Sequence, residues 1–109
     1  MRDIIDVRGA SGAVYRFTRF RDGNPLSAMG GNFIYAREGE SRICLLYAGE
    51  SQNLLTGARA LWERAVGDHE AQGLYTRLNI SERTRQLEHG DILAGETLPM
   101  NAASAAAHG

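Results

Sequence analysis

GGNFIYAREGESRICLLYAGESQNL, from Gly30 to Leu54, is the stretch whose reading decides the fold. NFIYAR and RICLLYAG are each of strand length and rich in β-branched and aromatic residues, and Glu38-Gly39-Glu40-Ser41 between them has turn chemistry. The pattern predicts a β-hairpin running straight into a helix. With residues 39 to 41 as the loop, Phe33 would face Tyr47, Tyr35 would face Leu45 and Arg37 would face Ile43. Both aromatic ends of the hairpin then share one face.

Downstream, Ser51 or Gln52 opens a predicted helix to about Val66. Leu54, Leu55, Ala58, Leu61, Trp62, Ala65 and Val66 form one stripe at helical spacing, and Gly67 is a natural stop. Residues 74–80, LYTRLNI, read as a further strand. Ser81 then caps a second helix that carries Thr84, Leu87 and Asp91 on one side and ends near Ala94-Gly95. Residues 96–101 are expected to be a loop folding back on the sheet, and residues 102–109, AASAAAHG, a disordered Ala-rich tail.

Upstream, residues 4–8 and 13–21 read as two strands joined by the Gly-rich turn Gly9-Ala10-Ser11-Gly12. The second, VYRFTRFR, interleaves Arg16, Arg19 and Arg21 with Tyr15, Phe17 and Phe20, a mix suited to phosphate contact with base stacking. The commoner reading of the same pattern is an edge strand with inward aromatics and solvated arginines. Residues 22–31, DGNPLSAMGG, have the composition of a linker. The chain therefore divides into an N-terminal hairpin extension (1–24), a core (25–101) and a tail (102–109).

The core resembles the GIY-YIG nuclease family. Tyr47-Ala48-Gly49 stands for the second tripeptide of the name and is followed by a polar turn ending in Asn53-Leu54; Gly31-Asn32-Phe33 stands for the first. Glu88, then Asp91-Ile92-Leu93, then Pro99-Met100-Asn101 resemble the family's later elements, a helix glutamate and an asparagine after a proline. The resemblance implies an α+β fold with a central antiparallel three-stranded sheet flanked by helices, to which the N-terminal hairpin is an addition. It also implies phosphodiester cleavage of nucleic acid with one divalent metal, Mg²⁺ or Mn²⁺, held by Glu88. The catalytic set carried over is Tyr47, Tyr35, Glu88 and Arg64, and the nucleic-acid contacts are Arg16, Arg19, Arg59 and Asn101.

Two departures bear on activity. Position 33 is Phe where the family has its first tyrosine, and Tyr35, on the same face, is displaced by about 7 Å. The family's helix arginine falls on Gly57. Arg59 projects about 200° away, and Arg64, on the flank of Gly57, lies roughly 10 Å further along an ideal helix. Losing a cation that stabilises a phosphoryl transition state costs several kcal/mol in general, so the expected cleavage is weak or lost. The alternative is a silent module binding nucleic acid or a protein partner.

Composition narrows the classes further. The 109 residues, 43% hydrophobic and 23% charged, suit one globular domain. A net charge of −1 gives no overall basic field, although residues 1–42 hold seven Arg against five carboxylates and the remainder five against eight. No lysine is present. Arg suits bidentate contact with phosphate or carboxylate, but GC-rich coding produces the same bias. A lone Cys44 in an apolar strand suggests a buried thiol in a reducing compartment, and no leader is visible at Met1-Arg2-Asp3. The longest apolar run, residues 43–48, is too short for a bilayer. The expectation is a cytoplasmic protein with no membrane partner and no small-molecule cofactor; oligomeric state is not legible.

Overall fold

The computed structural model describes residues 1–102 apart from Asp22 and Asn24, so the expected disorder of residues 103–109 lies outside the described residues. The fold is α+β. Five strands, β1 (Ile4–Arg8), β2 (Val14–Arg19), β3 (Gly31–Glu38), β4 (Ile43–Ser51) and β5 (Gly73–Leu78), form one antiparallel sheet in the order β1-β2-β5-β3-β4. The expected three-stranded sheet is therefore five-stranded. The N-terminal hairpin is not an appendage but pairs through β2 onto β5, Thr18 opposite Thr76 and Arg19 opposite Tyr75.

β3 is the central strand of the original three and is buried on both faces from Gly31 to Ala36. Because side chains alternate across a strand, Phe33 and Tyr35 enter one core and Ile34 and Ala36 the other. The first core packs against the helices after β4, through Leu54, Ala58 and Ala65. The second receives Val7, Phe17 and Tyr75 from the sheet and Ile92 from the last helix.

The hairpin register differs from the expected one. Tyr35 lies opposite Tyr47, Phe33 opposite Gly49 and Ala36 opposite Leu45, with a bulge between. The expected loop of residues 39–41 is four residues long, closed by Gly39 N–H donating to Arg42 O at 2.8 Å. The longer loop slips the pairing, and the extra residue, Leu46, absorbs the mismatch so that both Leu46 and Tyr47 reach the first core. Phe33's ring then lies over Gly49, where a Cβ would collide with it. That is a packing reason for glycine at this place in the Tyr-Ala-Gly triplet.

The single helix expected to run to Val66 is two helices, α1 (Leu54–Gly57) and α2 (Trp62–His69). Asn53 caps α1, its side chain accepting from Thr56 N–H. The stop is not Gly67 but Glu70, which adopts the left-handed conformation at φ 58°. With the periodicity interrupted, Leu55 (52% exposed) and Val66 (44%) leave the apolar stripe. The last helix, α3 (Glu82–Gly95), starts at Ser81 as expected, with Ser81 Oγ accepting from Thr84 N–H. Its side against the sheet carries buried Arg85 and Ile92, while Leu87 is 64% exposed. Residues 99–102 make a helical turn rather than a loop, Ala102 N–H donating to Leu98 O at 2.9 Å. Among the described residues no helix is long and apolar enough to cross a membrane.

Candidate functional site

The aromatic face of the hairpin forms as expected, but one of its tyrosines does structural work. Tyr35 and Tyr47 stack at 5.4 Å between ring centroids, Phe33 lies 5.6 and 6.0 Å from them, and Trp62 meets Tyr35 edge-on at 5.3 Å. Tyr35 is fully buried. Its hydroxyl donates to Ala58 O at 2.7 Å and accepts from Leu61 N–H at 3.1 Å. Those two backbone groups flank the break between α1 and α2, so the phenol supplies what a continuous helix would have supplied itself. Burial pushes the Tyr35 phenol up to about 12 and raises Tyr47 as well. At neutral pH both are uncharged, which suits them poorly as bases.

Glu88 stands on the opposite face of the sheet. It accepts from Arg77 Nε at 2.9 Å and from Asn79 Nδ2 at 3.1 Å. The same Asn79 amide donates to Asn32 Oδ1 at 3.0 Å, and Asn32 Nδ2 donates to Arg85 O at 3.1 Å. Asn32 is 1% exposed and adjacent to Phe33, so alternation places it on the α3 side, away from the tyrosines. Arg85, 2% exposed, pairs with Glu50 and donates to the carbonyls of Asn79 and Ile80 at 3.3 and 3.2 Å. Asp91, one turn further along α3, accepts from Tyr15 Oη at 2.7 Å and from Ser11 Oγ and N–H, contacts that hold its carboxyl below the usual range.

This donor set does not fit a divalent ion at Glu88. Arg77's guanidinium already occupies the cation's position, and the described residues contain no group of three or more His, Cys, Asp or Glu able to hold a metal. The polar seam of Asn32, Glu50, Arg77, Asn79 and Arg85 escaped the sequence reading. Its signal was polar residues at alternate positions of otherwise apolar strands. His89 adds one orphan: its Nδ1 is buried without a hydrogen-bond partner among the described residues, and burial lowers its pKa.

The remaining candidates scatter. Arg64 is exposed and faces Asp68 at 3.7 Å on its own helix; the break after α1 removes the phase relation to Gly57 on which its candidacy rested. Arg16 pairs with Asp6 at 3.0 Å in solvent. Asn101 clamps the edge of the sheet, its amide accepting from Ala48 N–H and donating to Ala48 O, both at 2.9 Å.

Arg19 and Arg59, by contrast, do come together. They line one cleft of about 530 Å³ with Phe20, Trp62, Glu63 and Leu74. Arg59's guanidinium lies over the Phe20 ring at 4.8 Å, and Phe20 and Trp62, both half-buried, line the cleft. Phe20 is held by its own N–H, which donates to Leu74 O at 2.7 Å. The break before α2 places Arg59 and Trp62 beside the end of β2, a juxtaposition that a continuous helix would not suggest.

No protein-family model matches the chain, and no match was found among curated proteins or among solved structures.

Proposed function

We propose that this chain is a GIY-YIG-like domain that has lost phosphodiester cleavage and binds single-stranded nucleic acid in the Arg19–Arg59 cleft. The observation that carries the reading is the pairing there of two cations with two half-buried aromatic rings, the combination that holds a phosphate and an adjacent base without base-specific hydrogen bonds. Loss of cleavage is supported by Tyr35's engagement in the α1–α2 break, by phenylalanine at position 33, and by the sheet standing between Glu88 and Tyr47. Charge is modest at the cleft, where Glu63 offsets part of the two arginines. Stacking therefore carries much of the affinity and the salt dependence is shallow.

Trp62 is the sole tryptophan, so its fluorescence reports the cleft directly. Titration with oligo-dT and oligo-U should quench it, and Arg19→Ala with Arg59→Ala should weaken binding on the order of tenfold, as expected for a few charge and stacking contacts. Unchanged fluorescence and no binding to either oligomer would overturn the nucleic-acid reading. Mg²⁺-dependent cutting that disappears in Glu88→Ala would overturn the loss of cleavage.

A further inference from the structure

The two edges of the sheet face each other. Although β1 and β4 are at opposite ends of the strand order, Ile5, Val7, Ile43 and Leu45 line one groove of about 500 Å³, so the sheet curls until its edges bound a common slot. With four antiparallel neighbours in sequence, β1 and β4 run in the same direction. A strand running opposite to both would continue the alternation around a closed ring of six. Apart from their ladders within the sheet, no backbone hydrogen bond among the described residues involves Ile4 to Arg8 or residues 43–47. Both edges thus present unpaired N–H and C=O groups, the usual template for strand addition.

One end of the slot already holds a mimic of such a strand. The connection after α3 starts beside the end of β1, where Gly95 lies so close to Arg8 O, Gly9 and Ala10 that a Cβ would collide with them, and reaches β4, where the Asn101 amide bonds both N–H and O of Ala48. That double bond is what an antiparallel neighbour would make. Below it the slot is open.

Its charge selects the occupant. Arg2, Arg8, Arg37 and Arg42 line it, and none has an ion-pair partner among the described residues. Of the two carboxylates present, Asp6 is taken by Arg16, leaving Glu96. We propose that this slot is a strand-addition site for an extended acidic peptide of a partner protein, with alternate apolar and acidic residues, inserted antiparallel to β1 and β4. Apolar side chains would rest on half-buried Ile43 and Leu45, beside the nearly closed core surface of Ile5 and Val7, and acidic ones would meet the arginines. None of these residues belongs to the Arg19–Arg59 cleft, so the two sites stand or fall separately.

The test uses a peptide of alternating Glu and Val, its Lys-for-Glu counterpart, and the Glu-Val peptide N-methylated at alternate residues. Cys44, the sole cysteine, lines the slot, so its alkylation rate reads occupancy. The Glu-Val peptide should slow alkylation and protect amides of both β1 and β4 from hydrogen exchange; the Lys peptide and the N-methylated peptide should do neither. Arg2→Glu with Arg42→Glu, both exposed, should weaken binding on the order of tenfold or more. The proposal is overturned by equal binding of the N-methylated peptide, by protection of one edge alone, by no protection at millimolar peptide, or by oligo-dT protecting the same amides. Self-association of the free protein with those amides protected would overturn it in favour of a second copy.

Discussion

Replacing Tyr35 by Phe removes one oxygen atom and separates a structural phenol from a catalytic one. The ring stays, so its stacking on Tyr47 and Trp62 is retained. Lost are a donor to Ala58 O at 2.7 Å and an acceptor for Leu61 N–H at 3.1 Å. Ala58 is fully buried, so its carbonyl is left without a partner, whereas half-buried Leu61 can recover part of its loss from water. An unsatisfied buried polar group costs about 1–3 kcal/mol. The two together come to roughly 2–4 kcal/mol, against a total of about 5–15 kcal/mol for a domain of this size. In urea the midpoint should fall with the slope unchanged, and the amide of Leu61 should lose exchange protection selectively. Tyr47→Phe is the control: its hydroxyl has no hydrogen bond to the described residues, and the change should stay within about 0.5 kcal/mol. A near-neutral Tyr35→Phe would refute the account, most directly if Tyr47→Phe were the costlier of the two.

Asn101→Ala should cost roughly 1–3 kcal/mol by freeing both groups of Ala48, and hydrogen exchange should show the loss concentrated on β4. His89 supplies a pH dependence whose sign follows from burial of its neutral form. Below the ordinary histidine value of about 6.5 the unfolded chain takes up a proton that the folded chain refuses. Stability is therefore full above that value and falls as the pH drops toward the lowered folded pKa, by at most about 1.4 kcal/mol per pH unit. Urea midpoints measured from pH 7.5 to 5 should show this slope, and His89→Gln should flatten it.

The strands and α3 were legible because each has a local signature that tertiary packing then reinforces. Residues 4–8 alternate, Ser81 caps α3, and the run from Gly31 to Ala36 is apolar enough to be buried on both faces. The helix break was not legible, since its cause is Tyr35, more than twenty residues upstream, whose hydroxyl makes Ala58 and Leu61 indifferent to helical continuity. A propensity argument reads only neighbours, and Leu54 to Val66 are good helix neighbours. The same break accounts for both the gain and the loss at the candidate site. It swings Arg59 and Trp62 to the end of β2, where the cleft forms, and it dissolves the phase that tied Arg64 to Gly57.

The separation of Glu88 from Tyr47 is of another kind. Spacing along the chain constrains which residues follow a motif but not which face of a sheet the following helix covers. Here α1 and α2 pack against Phe33 and Tyr35, and α3 packs against Ile34 and Ala48, so residues that follow one another in the expected order are divided by the sheet that carries them. The division has a chemical consequence. On the α3 side, Glu88 is neutralised by Arg77, while on the other side the phenols are buried in an apolar cluster with pKa values raised. Each half is satisfied without the other. A cleaving site needs groups left unsatisfied until substrate arrives; among the described residues, arginines without an ion-pair partner stand away from both halves, Arg19 and Arg59 in their cleft and Arg2, Arg8, Arg37 and Arg42 along the slot between β1 and β4.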